Sequence, residues 1–193
     1  MKIDIVIAGV GGQGIVSIAT TIGFAAVDSG LFLKQSEVHG MSQRGGDVSS
    51  NLRLSDQEIF SDLIPNGTAD MVISVEPMES LRYLPMLSPK GWLITNTKPF
   101  VNIPNYPAIE EVLKEVKKFP RHIAIDAEKI AEELGSVKSA NMVILGAASP
   151  FINMPFEKLE KAVKAIFERK GDDVVEVNLK CLKAGREFAQ KNM

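Results

Sequence analysis

The sequence predicts an α/β fold, a Rossmann-like three-layer domain on a parallel or mixed central sheet. Three observations lead there. Short β-branched runs alternate with helical stretches along the first two thirds of the chain. The first of these runs ends in a cluster of glycines, the usual passage from a strand into the helix that covers it. The strands are apolar enough to be buried on both faces, so helices must lie above and below them.

Taken in order, Ile3 to Ala8 reads as the first strand and Gln13 to Ser29, rich in Ile, Val and Ala, as the first helix. Leu31 to Val38 can form the next strand, and Val48 to Arg53 an extended segment after a Gly-rich bend. Met71 to Val75 is a strand of the buried type. Glu76 to Met86 can form a helix, since Pro77 suits a first helical turn, and Gly91 to Thr95 is strand-like. A proline-rich loop from Pro99 to Pro107 precedes the stripe Ile109, Val112, Leu113 and Val116. His122 to Ile125 then reads as a strand and Ala127 to Leu134 as a helix. The last third is helical in spacing throughout: Asn141 to Ala148, Phe156 to Phe167, and Val177, Cys181, Ala184 and Phe188. With no repeat and no linker, residues 1–193 are expected to form one domain.

Composition excludes several classes of function. The 45% hydrophobic and 24% charged residues are ordinary for a globular chain. With 22 basic and 24 acidic side chains the net charge is −2, so neither a nucleic acid nor an anionic membrane exerts a bulk pull. Cys181 is the only cysteine, which rules out an internal disulfide and a self-contained four-thiolate cluster or zinc site. It falls on the apolar stripe of the last helix, as a small buried hydrophobe would. The N-terminal apolar run contains a charge and soon meets glycines, unlike a secretory signal, and no 18-residue apolar run occurs, so a cytoplasmic location is expected. Two distant histidines without a matched carboxylate spacing argue against a metal site, and Trp92 and His122 read as ordinary strand residues.

Two motifs carry chemistry. Gly9-Val10-Gly11-Gly12-Gln13-Gly14 fits G-x-G-x-x-G and stands between the first strand and the first helix. Its glycines allow close approach to the backbone, and free amides at a helix start favour a phosphate. The other reading is that they let the helix pack tightly on the sheet. A dinucleotide site would have an acidic residue about 20 positions further on. That stretch reads Phe32-Leu33-Lys34-Gln35, and an ATPase P-loop is excluded because Ile15-Val16 replace its Lys and Ser/Thr. The second motif, Glu37-Val38-His39-Gly40-Met41-Ser42-Gln43-Arg44-Gly45-Gly46, gathers an acid, a base, a hydroxyl and a guanidinium beside glycines. A tight turn with Arg44 paired to Glu37 or Asp47 would account for it residue by residue. Ser42 lacks the G-x-S-x-G flanks of a hydrolase nucleophile.

Together the two motifs resemble the gamma-type subunit of 2-oxoacid:ferredoxin oxidoreductases. The stretch from Glu37 to Gly46 is similar to the indolepyruvate branch, whose small subunit has about this size, and Asn141-Met142 with Leu145-Gly146 to a later family segment. The resemblance implies a complex in which a 2-oxoacid, indolepyruvate or another arylpyruvate, is decarboxylated on thiamine diphosphate. Electrons pass through [4Fe–4S] clusters to ferredoxin, and coenzyme A accepts the acyl group. Thiamine and clusters would sit on a large partner subunit, because one cysteine cannot hold a cluster and Gly171-Asp172-Asp173 does not start a thiamine diphosphate motif. The small chain, inactive alone, would bind a coenzyme A phosphate and cover the thiamine site. Its binding residues would be Gly9, Gly11, Gly12, Gln13, Gly14, Glu37, Arg44, Gly45 and Gly46, with Arg44 or Lys34 countering the charge. The rival readings are a free-standing NAD(P)-dependent reductase and a purely structural partner.

Overall fold

In the computed structural model, which describes residues 1–40 and 45–193, all six strands join one sheet in the order β2-β3-β1-β4-β5-β6. The strands are β1 (Lys2–Val10), β2 (Phe32–His39), β3 (Asp47–Ser55), β4 (Ala69–Ser74), β5 (Leu87–Asn96) and β6 (His122–Ile125). The helices are α1 (Ile15–Asp28), α2 (Pro77–Arg82), α3 (Ile109–Val116), α4 (Ala127–Glu133), α5 (Ala140–Ala148), α6 (Phe156–Phe167) and α7 (Asp172–Lys191). β1, β4, β5 and β6 are parallel. β3 runs antiparallel between β1 and β2, so the sheet is mixed, one of the two forms expected.

The alternation of side chains along β1 separates the two faces. Ile3, Ile5 and Ile7 enter the larger core with α1, α5, α6 and α7. Val6 enters a smaller one with Val72, Leu93 and Val116, against α2 and α3. α5 is buried along its whole length because α7 crosses it with almost no gap: a Cβ on Gly146 would stand 2.0 Å from the Leu182 carbonyl oxygen, and one on Gly185 1.9 Å from that of Val143. Cys181 lies in this packing, fully buried, and burial pushes its thiol up to about 11. Trp92 is an ordinary strand residue stacked on Phe151, with ring centroids 3.9 Å apart.

Two elements differ from the sequence reading. The helix expected over Glu76 to Met86 ends at Arg82 and continues only as a 3₁₀ turn over Leu84–Met86. Pro85 disfavours helical backbone at Leu84 and offers no N–H of its own. The helix expected from Gln13 begins at Ile15, because Gln13 folds back and its side-chain oxygen accepts the Val10 amide at 2.8 Å.

Candidate functional site

Both motifs reach the carboxyl edge of the parallel strands. β1 delivers the glycine loop there, and β2 and β3 meet in a hairpin whose base closes through Gly40 N–H donating to the Asp47 carbonyl at 2.7 Å. The Gly11 amide donates to the Gly46 carbonyl at 2.9 Å, so residues far apart in sequence become neighbours. β1 and β4 stand side by side at the point where the chain leaves toward opposite faces, the crevice where open α/β sheets take ligands.

The glycines of the loop are not equivalent. A Cβ on Gly9 would lie 2.3 Å from Val75 Cγ2, and one on Gly14 2.4 Å from Asn141 Nδ2, so both serve close packing. Gly12 has φ +102° and nothing within 4 Å of a would-be Cβ. Gly14, at φ 82°, starts α1 with no side chain capping it, which leaves first-turn amides for another acceptor. Gln13 spends its oxygen on Val10, so a contact to ligand is left to its amide nitrogen.

Behind the loop lies a cleft of about 670 Å³. Gly12, Gln13, Gly14 and Ser17 form one wall, Asn96 lies on another, and Ser139, Ala140 and Asn141 bring in the start of α5, whose first amide, Ala140 N–H, already donates to the Val137 carbonyl. Asn141 Nδ2 donates to the Gly14 carbonyl at 3.2 Å and locks the two walls together. Lys138 and Lys170 line the cleft, the latter with its ammonium 5.1 Å from the Phe167 ring centroid. The start of α1 and the two lysines, with Glu128 as the one carboxylate in the lining, surround open glycine backbone.

The hairpin residues divide. Glu37 pairs with His39 at 2.6 Å on the outer strand β2, and neither lines the cleft. Gly45, at φ +78°, accepts from Asn102 Nδ2 at 2.6 Å through its carbonyl. Asp47 accepts from the Tyr83 hydroxyl at 2.9 Å, while Arg44, whose pairing with Glu37 or Asp47 is one expectation from the sequence, lies with Met41, Ser42 and Gln43 outside the described residues. Lys34 is misplaced for countering a phosphate on the loop. It sits opposite Arg53, which sits opposite Asp4, six residues back from Val10 and so about 20 Å along the strand. Lys138 and Lys170 stand where that charge was sought. No local signal marks them among the chain's other lysines, whereas Asn141, a lone amide opening an apolar run, was detectable.

Beside Asp47 lies a group of acids on the α2 face. Glu76 is buried, caps α2 through the Glu79 amide at 2.8 Å, and accepts from Phe100 N–H at 3.3 Å and from the Tyr106 hydroxyl. Burial raises the Tyr106 hydroxyl above its ordinary range, helped by Glu76. Glu79 is pushed up to about 7, first by burial and against the pull of Arg82, whose Nε donates to it at 2.7 Å. Burial also lifts Tyr83 to about 12.

In this fold β3 stands between β1 and β2, so the end of β2 is one strand removed from the glycine loop and the dinucleotide alternative finds no support. Among the described residues no group of three or more His, Cys, Asp or Glu is arranged to hold a metal, and no helix is long and apolar enough to cross a membrane.

A family model described as pyruvate ferredoxin/flavodoxin oxidoreductase matches residues 4–188. The indolepyruvate oxidoreductase subunit IorB of Archaeoglobus fulgidus is 38% identical over 194 residues, covering 96% of this chain and 94% of that protein. The pyruvate/ketoisovalerate oxidoreductases common subunit gamma of Thermococcus litoralis is 29% identical, with 99% and 97% covered. Among solved structures, the 2-oxoglutarate:ferredoxin oxidoreductase of Magnetococcus marinus with 2-oxoglutarate, coenzyme A and succinyl-CoA bound shares the fold. Its TM-score is 0.78 at 23% identity, over 98% of this chain and 31% of that one. Pyruvate oxidoreductase subunit PORC of Thermotoga maritima shares it too, with a TM-score of 0.73 at 24% identity and 96% of each chain covered. The resemblance first read from two short motifs thus extends over nearly the whole chain, which belongs to the pyruvate ferredoxin/flavodoxin oxidoreductase family as a subunit of a 2-oxoacid:ferredoxin oxidoreductase.

Proposed function

We propose that this chain is the small subunit of a complex that oxidatively decarboxylates indolepyruvate or another arylpyruvate to its acyl-coenzyme A while reducing ferredoxin. Its own task is to hold coenzyme A by a phosphate and to help cover the thiamine site of a large partner. The cleft behind the glycine loop carries this reading: open backbone at Gly12, the uncapped start of α1, and Lys138 and Lys170, against the single carboxylate of Glu128, surround one 670 Å³ space. Relatives named for indolepyruvate support the substrate class. A distant structural neighbour with coenzyme A bound supports the ligand.

Neither thiamine diphosphate nor an iron–sulfur cluster fits the residues of this chain. Its one thiol is buried in the helical core and held protonated, so those groups belong to a partner. What the chain supplies is binding and orientation. Amides at the start of α1 and Gln13 Nε2 donate to phosphate oxygens, Lys138 and Lys170 offset their charge, and Asn141 fixes the loop. Gly9, Gly11, Gly12 and Gly14 shape the loop, while Glu37, Arg44, Gly45 and Gly46 belong to the hairpin that faces the partner.

The packing of Gly9 on Val75 favours a second reading, in which the loop is purely structural. Steady-state kinetics of the reconstituted complex separate the two. Replacing Lys138 and Lys170 together by Ala raises KM for coenzyme A about tenfold, the loss of roughly 1.4 kcal/mol of charge-assisted binding, and leaves KM for the 2-oxoacid in place. An unchanged KM for coenzyme A in that double variant, and in Gly12→Asp, would leave the structural reading standing.

A further inference from the structure

The most buried part of the cleft carries two oxygens without a hydrogen-bond partner among the described residues. Asn178, on α7, lines the cleft and is 4% exposed. Its Nδ2 donates to the Val174 carbonyl one turn back at 2.7 Å, which fixes the amide and turns Oδ1 the other way. That oxygen is not sealed within the protein, so the space it opens onto is the cleft. Ser139, also 4% exposed, brings a free hydroxyl to the same space on a 3₁₀ turn, Val137–Ser139, that packs against α7. Apolar side chains of Ile144, Phe167 and Val174 complete this floor. A buried acceptor is costly to leave unmatched, so the ligand that fills the floor must bring a donor.

The chemistry of these groups decides what enters. A phosphate has no N–H to offer Asn178 Oδ1 and is repelled by it, so phosphates stay at the glycine loop and beside Lys138 and Lys170, both exposed. The floor suits a flat, neutral group with apolar faces and a donor on its edge, beside an atom that a hydroxyl can serve. A 6-aminopurine has that form: its exocyclic amine donates to Asn178 Oδ1, and Ser139 donates to a ring nitrogen. A 6-oxopurine presents an acceptor where the amine would be and turns the same contact into repulsion. The other N–H donors of coenzyme A are the amides of its pantetheine arm. On the reading proposed above, that arm carries the thiol out of the cleft to a centre this chain does not hold, so the arm takes the mouth and the base takes the floor.

We infer that Asn178 and Ser139 form a base subsite in the floor of the cleft and select an adenine nucleotide by its exocyclic amine, while the phosphates are held nearer the rim. The inference rests on the proposed function and adds to it the end of the ligand that this chain reads. The test is steady-state kinetics of the reconstituted complex with three acyl acceptors: coenzyme A, its deaminated analogue with hypoxanthine in place of adenine, and pantetheine, which has no nucleotide. In the wild type, KM for the deaminated analogue stands about tenfold above that for coenzyme A, as the loss of one buried hydrogen bond requires. Asn178→Ala raises KM for coenzyme A about tenfold and brings the ratio of the two to about one. Damage to folding or packing moves both values together and leaves the ratio standing, so the ratio reports the contact alone. KM for pantetheine is the same in the wild type and the variant.

Equal KM values for the two nucleotides in the wild type, or a tenfold ratio that survives Asn178→Ala, would overturn the base subsite. So would a raised KM for pantetheine in that variant, which would put the arm rather than the base against the Asn178 oxygen. Each of these outcomes leaves coenzyme A binding by the chain intact. A complex in which neither Asn178→Ala nor the Lys138 and Lys170 double variant changes KM for coenzyme A would instead bring down the proposed function, and this inference with it.

Discussion

The glycine loop and the β2–β3 hairpin meet at one edge of the sheet, but different forces hold them there. The glycine loop is set by fit: Gly9 against Val75, Gly14 against Asn141, Gln13 on the Val10 amide. None of those ties involves an ionisable group. The hairpin end is set by polar links to the α2 face, Tyr83 on Asp47 and Asn102 on Gly45, with the strap that carries Asn102, residues 97–108 between β5 and α3, hanging on Glu76. A loop shaped by fit tolerates no added volume at its packed glycines, Gly9 and Gly14, and ignores pH. A loop moored by carboxylates responds to protons.

The first half of that contrast is the one to attack hardest. Gly9→Val forces a side chain into space already held by Val75 and Ile15, and the expected cost is about 3 kcal/mol or more by denaturant unfolding. Gly12→Ala meets no atom and bears only the strain of a φ of +102°, about 1–2 kcal/mol. Equal costs for the two would mean that the loop is not held by packing.

On the hairpin side, Glu76→Ala removes a carboxylate that serves the start of α2 and both ends of the strap together, leaving three donors to find water. The expected cost is about 2–3 kcal/mol, with the strap becoming the first site of limited proteolysis. Loss of stability without new cleavage between residues 97 and 108 would show that the strap is moored elsewhere.

How far these features could be read in advance follows from the range of the forces behind them. The strand, glycine turn and helix over residues 3–29 were legible because a change of hydrophobic period is a local signal. The insertion of β3 between β1 and β2 was not, since pairing is decided by partners about 40 residues away in sequence. The two motifs stood out in the sequence, but not their contact through Gly11 and Gly46, and not the division of the glycines into packed and open. Glu76 and Glu79, read as part of a helix, are ordinary in sequence; only the fold buries them. Lys138 and Lys170 have an ordinary appearance for the same reason, since only the placement of α5 and α6 brings them to the cleft.

The smallest effect is also the most specific to the moored loop. Glu79 is held at about 7 in the folded chain, above its ordinary carboxylate value, because burial disfavours its charge more than Arg82 restores it. The folded state therefore binds a proton more tightly than the unfolded one. The stability this gives is present in full below the unfolded carboxylate value and is lost as pH rises toward 7, with no further change above it. The Glu79–Arg82 pair sits at the surface, with half of the Arg82 side chain in water, so water close by softens the burial penalty on Glu79 and the effect comes to about 1 kcal/mol across that window. Glu79→Gln removes the dependence: between pH 5 and pH 8 the wild type loses about 1 kcal/mol relative to the variant, measured by urea unfolding at each pH. The same comparison made on Gly12→Ala should show the wild-type slope unchanged, because nothing that titrates holds the glycine loop. Parallel pH profiles for the wild type and Glu79→Gln would mean that the charge on Glu79 is already satisfied by Arg82, and that the mooring of the hairpin is as indifferent to protons as the packing beside it.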